Sequence, residues 1–231
     1  TKIMADGSGL AWPVKTFDYA GAQDRATAVA VDGNDDVIIT GYIHNGSNYD
    51  IHTIKYSGND GSVLWQHTFD GPGRGNDFAN AITVDALNNI YVGGIVQDAA
   101  AKDDFVIVKY VPDGPNPDDT PTWSVNYNGP DDMHDRLTAI AVGIDGIAVT
   151  GESQNAATDF DFVTVKFTLD GIKSWEKRYS DSGNGKGLDI AMDASGNVVA
   201  TGYIYNGADW DHYTVKYPSA DGPAIWNKTQ D

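Results

Sequence analysis

The chain repeats itself, and the repeat limits the folds open to it. Trp12, Trp65, Trp123, Trp175 and Trp226 recur 53, 58, 52 and 51 residues apart, and Lys2, Lys55, Lys109, Lys166 and Lys216 keep nearly the same rhythm. Gly41, Gly94, Gly151 and Gly202 mark a third position, and Asp50, Asp104, Asp161 and Asp211 a fourth, each Asp five residues before its Lys. A period of about 54 residues, each copy too small to bury its own apolar surface, implies a stack of similar units.

Every unit divides into four short alternating segments separated by Gly, Asn, Asp or Pro clusters, the signature of strands joined by tight turns. In the first full unit strand A is expected over Ala26 to Asp32, B over Val37 to Ile43, C over Ile51 to Tyr56 and D over Val63 to Phe69. The connections DGNDD, DALNN and DASGN supply the residues that hairpins with positive φ require, so each unit is an antiparallel meander. A four-stranded meander has two faces to hide, and face-to-face stacking hides both, which is a β-propeller. Small residues on strand A (Ala26, Ala28, Ala30, Ala79, Ala81, Ala139, Ala141) suit a crowded inner strand, with the bulky rings expected on C and D nearer the rim.

The expected fold is therefore all-β: a β-propeller of four-stranded antiparallel blades, four full blades plus an N-terminal half-blade. The half-blade spans 1–21 and the blades about 22–73, 74–131, 132–183 and 184–231. In the half-blade, Thr1 to Met4 reads as the end of strand C and Leu10 to Phe17 as strand D. The missing strands are expected from the remainder of a larger surface protein, from a second copy, or from closure of a small ring. Two departures stand out: Gly143 replaces the Asp found at Asp32, Asp85 and Asp193, and Pro112 to Pro121 is inserted between C and D of the second blade.

The run ANAITVDALNNIYVGG and the run from Asp161 to Trp175 (DFVTVKFTLDGIKSW) resemble the SBBP family of bacterial β-propeller repeats. The resemblance covers nearly the whole chain. It implies an extracellular or cell-surface propeller, often of about seven blades, and no common activity.

Lys and Arg number 15 against 33 Asp and Glu, a net charge of −18. Such a surface repels nucleic acid and acidic membranes, and no apolar run reaches the length of a transmembrane helix, so neither nucleic-acid binding nor membrane insertion is expected. Cysteine is absent, which removes disulfides, thiolate metal sites and thiol nucleophiles.

The D-to-A and B-to-C connections emerge on one face, where they gather Asp24, Asp77 and Asp135 with Asp50, Asp104, Asp161 and Asp211. Carboxylates of this kind suit calcium; the competing reading is that each caps its own loop or bonds the next blade. The aromatic loops Tyr42, His44, Tyr49 and Tyr203, Tyr205, Trp210 suit the faces of a carbohydrate, or alternatively packing between blades. The repeated Lys reads as structural, its stem between blades and its head on a carboxylate of the neighbour.

Other motifs fail. Asp32, Asn34 and Asp36 open like an EF-hand loop, but Val37 stands at the required Gly. GPGRG precedes a strand and not a helix, and neither H-E-x-x-H nor G-x-S-x-G occurs. The expectation is a non-catalytic scaffold for assembly or adhesion. The alternatives are a lectin-like or calcium-dependent module, and a glycosidase-like enzyme with paired carboxylates.

Overall fold

The computed structural model describes residues 2–3, 10–12, 14–19, 21, 23–114, 120–179 and 183–230. These residues contain strands and turns and no helix, hence no helix long and apolar enough to cross a membrane. The half-blade is β1 (Lys2–Ile3) and β2 (Leu10–Trp12). Blade 1 follows with β3 (Arg25–Val31), β4 (Val37–His44), β5 (Tyr49–Tyr56) and β6 (Val63–Phe69). Blade 2 has β7 (Phe78–Val84), β8 (Ile90–Gln97), β9 (Asp103–Tyr110) and β10 (Trp123–Tyr127). Blade 3 has β11 (Asp135–Val142), β12 (Ile147–Gln154), β13 (Phe160–Phe167) and β14 (Lys173–Tyr179). Blade 4 has β15 (Gly185–Met192), β16 (Val198–Tyr205), β17 (Trp210–Tyr217) and β18 (Trp226–Gln230).

Within each blade the strands pair antiparallel in chain order, A to B to C to D. Three apolar clusters lie between successive blades: Ile38, Ile51 and Phe69 against Ala79, Val92 and Val108; Tyr91 and Phe105 against Leu137, Ile140 and Val149; Ala148, Phe162 and Trp175 against Ile190, Ala200 and Val215. Alternation along strand C explains this sidedness. In β5, Ile51, Thr53 and Lys55 face the following blade, while His52, Ile54 and Tyr56 face the half-blade.

The repeated Gly of strand B marks a close approach. Each strand A bulges by one residue, between Ala26 and Ala28 and at the same place in blades 2, 3 and 4. The bulge brings a strand A carbonyl over strand B, so that a Cβ built on Gly41, Gly94, Gly151 or Gly202 would lie only 1.9 to 2.3 Å from the oxygen of Arg25, Phe78, Arg136 or Lys186. The bulged residue itself reaches the next blade: Thr27 Oγ1 donates to Ala79 O at 2.7 Å and Asn80 Nδ2 to Leu137 O at 2.7 Å.

The EF-hand look-alike is a hairpin turn. Asp32 Oδ1 accepts from the amides of Asn34 and Asp36, and Asp85 and Asp193 repeat the arrangement. Asp35 and Asn88 adopt positive φ there.

Three expectations are corrected. Strand D of the half-blade stops at Trp12, and Phe17 lies beyond it, stacked on His52 at 4.6 Å. Bulky rings are not confined to C and D, because Tyr91 on β8 is fully buried and donates its hydroxyl to Asp85. The repeated Lys does not seek a carboxylate of the neighbouring blade. Lys55 pairs with Asp32 at 2.7 Å, Lys166 with Asp145 at 2.9 Å and Lys216 with Asp193 at 2.7 Å, all in their own blades. What it takes from the neighbour is a main-chain carbonyl: Lys55 donates to Pro112 O, Lys109 to Leu169 O and Lys166 to Ser219 O. Asp145 supplies in blade 3 the carboxylate that Gly143 lacks. Lys109 instead lies over the rings of Tyr91 and Trp123. Half of the proline-containing insertion, 115–119, falls outside the described residues.

Candidate functional site

The acidic loop residues do not converge on one centre. They sit at successive blade boundaries, and all but Asp24 are buried. At the start of strand A, Asp24, Asp77 and Asp135 accept from the amides of Tyr19, Gly71 and Gly129 in the connection before them. Burying a carboxylate stabilises the fold only if it is hydrogen-bonded, and this cap supplies that bond.

At the start of strand C the partner is an amide side chain in the B-to-C loop. Asn45 donates to Asp50 at 2.7 Å, Asn155 to Asp161 at 3.0 Å and Asn206 to Asp211 at 3.0 Å. The same Asn oxygens accept loop amides, such as those of Ser47, Ala157 and Ala208. In blade 2 the equivalent residue is Asp98, whose Oδ1 also accepts two loop amides but which has no amide hydrogen to give. Asp104 thus lacks the amide donor of the other blades, and its Oδ1, like Asp211 Oδ1, has no hydrogen-bond partner among the described residues. Burial, then the charges of Asp135 and Asp98, push the Asp104 carboxyl up to about 6.

The boundary between blades 1 and 2 is the most acidic. Carboxylate oxygens of Asp50, Asp70 and Asp77 lie within 4.8 Å of one another, and among the described residues no Lys, Arg or His pairs with them. Burial pushes Asp77 up to about 7 against the lowering effect of its amide bonds, with Asp70 and Asp50 adding repulsion. This trio has the oxygen chemistry of a calcium site. Asp70 has a partial repeat signal, since Asp18 follows Phe17 and Asp231 follows Gln230 at the same place, while Asn128 and Ser180 stand there in blades 2 and 3. Farther along, Arg178 relieves the charge: it lies 3.5 Å from Asp161 and 4.0 Å from Asp135, and bonds Ser153, which in turn bonds Asp135.

The two aromatic loops differ. In blade 1, Tyr49 packs edge-on to Tyr42 at 5.4 Å and to His44 at 4.9 Å, and Phe78 of blade 2 joins Tyr42 at 4.9 Å, so the rings close a blade boundary. In blade 4, Trp210 is 53% exposed and stands 5.0 Å from Tyr203 and 5.4 Å from Tyr205. Trp210 and Tyr203 wall a cleft of about 320 Å³ shared with blade 3, together with Phe160, Thr158, Asn184, Lys186 and Glu152. Glu152 is the one carboxylate lining it among the described residues and pairs with Lys186 at 3.3 Å and Arg136 at 3.5 Å. Phe160, Glu152 and Lys186 vary between units, which hid them in the sequence.

The repeated Trp residues serve the boundaries. Trp65 Nε1 donates to Pro112 O and Trp175 Nε1 to Ser219 O, the same carbonyls that the Lys ammoniums use. Trp12 and Trp123 have no partner for Nε1 among the described residues, and Trp226 is 40% exposed on the outer side of blade 4.

No protein-family model and no curated protein matches the chain. Solved structures do. Quinohemoprotein alcohol dehydrogenase from Comamonas testosteroni is similar over 90% of this chain and 36% of its own, at 11% identity and a TM-score of 0.63. Lignostilbene dioxygenase from Pseudomonas brassicacearum is similar over 88% and 46%, at 11% identity and 0.50. BamB from Moraxella catarrhalis is similar over 99% and 69%, at 14% identity and 0.46. The fold is a β-propeller. The chain spans less than half the length of the first two proteins it matches, and at these identities the likeness is one of fold alone.

Proposed function

We propose that the chain is a non-catalytic β-propeller scaffold of SBBP type, acting outside the cell or on its surface to hold other protein segments in an assembly. The observation that carries this reading is the fate of the repeated side chains. Asp, Trp and Lys recur because they build blade boundaries, where capped carboxylates and shared carbonyls consume their bonding capacity. A residue spent on the frame of every blade is not held ready for a substrate. Protease shaving of intact host cells tests the location: cleavage from outside is expected, and protection until lysis refutes it. A reproducible turnover lost on Asp77→Asn refutes the non-catalytic part.

A second reading rests on the cleft beside Trp210. A large exposed ring, a second ring at right angles to it and flanking Asn184, Lys186 and Glu152 suit a sugar's apolar face and hydroxyls. Hydrolysis by two carboxylates needs a pair some 5 to 10 Å apart, roughly, across the cleft; among the described residues Glu152 lines this cleft, held by Lys186 and Arg136. A glycan array with wild type and Trp210→Ala decides: signal lost in the variant supports the site, and a blank for wild type removes it.

A further inference from the structure

The two ends of the blade stack have opposite character. Strand A of blades 2, 3 and 4 lies on a complete preceding blade, whereas among the described residues β3 of blade 1 is preceded by the β1–β2 pair alone. Ile140 and Ile190 are buried and Ile82 is half-buried at one position of strand A; Val29, at the same position, is 64% exposed. On strand B, Ile90 and Val92, Ile147 and Val149, and Val198 and Ala200 are fully buried, while Val37 and Ile39 in their places are half-buried. A cavity of about 160 Å³ opens there, with Ile39, Gly41, Ile54 and Phe17 in its walls. The half-blade covers the outer part of this face, where Trp12 meets Tyr56, and leaves the inner part bare.

The outer face of blade 4 has the reverse composition. Asp189 stands where Ala28, Ala81 and Ala139 face the following blade, His212 replaces Ile51, Phe105 and Phe162, and Gln230 replaces Phe69, Tyr127 and Tyr179. All three are exposed. A polar outer side of this kind is what the terminal units of repeat arrays carry.

We infer that the bare face around Val29 and Ile39 takes a two-stranded A–B hairpin of this same repeat, supplied by polypeptide outside residues 1–231 and laid against the open edge of β1. Continuity with the existing boundaries carries the inference, because that interface recurs three times within the chain, each time as a buried apolar cluster that includes the equivalent strand B positions. A second copy of the chain fits poorly. The face it could offer in the right orientation is that of blade 4, which would set Asp189, His212 and Gln230 against valine and isoleucine, and burying such groups unpartnered is costly. The inference deepens the scaffold reading by naming the surface.

Hydrogen exchange of the full chain, with and without a backbone-cyclised peptide carrying the β7–β8 sequence Phe78–Gln97, provides the test. At saturating peptide, exchange should slow at least tenfold across β1 and β3 and stay unchanged in β16 to β18, and Val29→Asp should abolish the effect. Unchanged exchange in β1 and β3 overturns the inference. So does a dimer of the chain alone that Val29→Asp splits into monomers, since a second copy would then fill the face. Either failure leaves the location and turnover tests of the scaffold reading unaffected.

Discussion

Trp175 of blade 3 donates its indole N–H to the carbonyl of Ser219 in blade 4, 3.0 Å away. The Lys166 ammonium shares that oxygen at 3.1 Å, so one carbonyl two residues past strand C anchors both repeated side chains.

Removing the donor should therefore cost more where it is used. Trp175→Phe is expected to lower unfolding free energy by about 1 to 2 kcal/mol, a lost hydrogen bond plus some lost burial. Trp123→Phe, which removes a buried N–H lacking a partner among the described residues, should cost clearly less. Urea titrations of both variants check the order; equal losses would remove the shared-carbonyl account.

Gly202→Ala should destabilise blade 4 by about 2 to 3 kcal/mol, since its Cβ would meet the Lys186 carbonyl at 1.9 Å and the bulge would have to move. Thermal unfolding followed by near-ultraviolet circular dichroism reports this.

Asp98→Asn should stabilise the protein. The new amide keeps the loop-accepting oxygen and adds the donor that Asn45, Asn155 and Asn206 give to their aspartates, satisfying Asp104 and removing one repulsive charge. A gain of about 1 kcal/mol at pH 8 is expected, with less change at pH 4, where Asp104 is already protonated. A loss at pH 8 would contradict the assignment.

Asp77 gives stability a pH dependence with a definite sign. Its folded carboxyl titrates at about 7 and its unfolded one at about 4. Between these values the native state binds more protons than the unfolded chain, so stability falls as pH rises from 4 to 7, by an amount on the order of a few kcal/mol. Asp77→Asn should flatten that slope. If calcium takes the trio, millimolar calcium should raise the melting temperature of wild type at pH 8 and leave Asp77→Asn unmoved; no shift in wild type removes the calcium reading.

Position alone should decide the cost of truncating strand A. Ile190→Ala, in a side chain 8% exposed, is expected to lose about 2 to 4 kcal/mol, while Val29→Ala at the same position should change stability by less than about 0.5 kcal/mol. Denaturant midpoints compare the two.

Spacing and alternation sufficed to place the blades, because hairpin turns, the strand B Gly and the strand C pattern are all set by local geometry. Side chains that act across a boundary were less legible. The Lys head could not be assigned to a neighbour's main-chain carbonyl, since a carbonyl has no residue identity to read. Arg178 does not recur, and Asp70 recurs only as Asp18 and Asp231, so neither stood out; their importance follows from the buried charges they meet. Of the two aromatic loops, only packing distinguishes rings closed by Phe78 from a Trp210 left open beside a cleft.

Each boundary joins residues roughly one period apart: Thr27 with Ala79, Asn80 with Leu137, Lys166 with Ser219. During synthesis a blade can thus dock as soon as its successor has left the ribosome, with no wait for a distant terminus to return. The stack grows like courses of brick, each laid on the one before it.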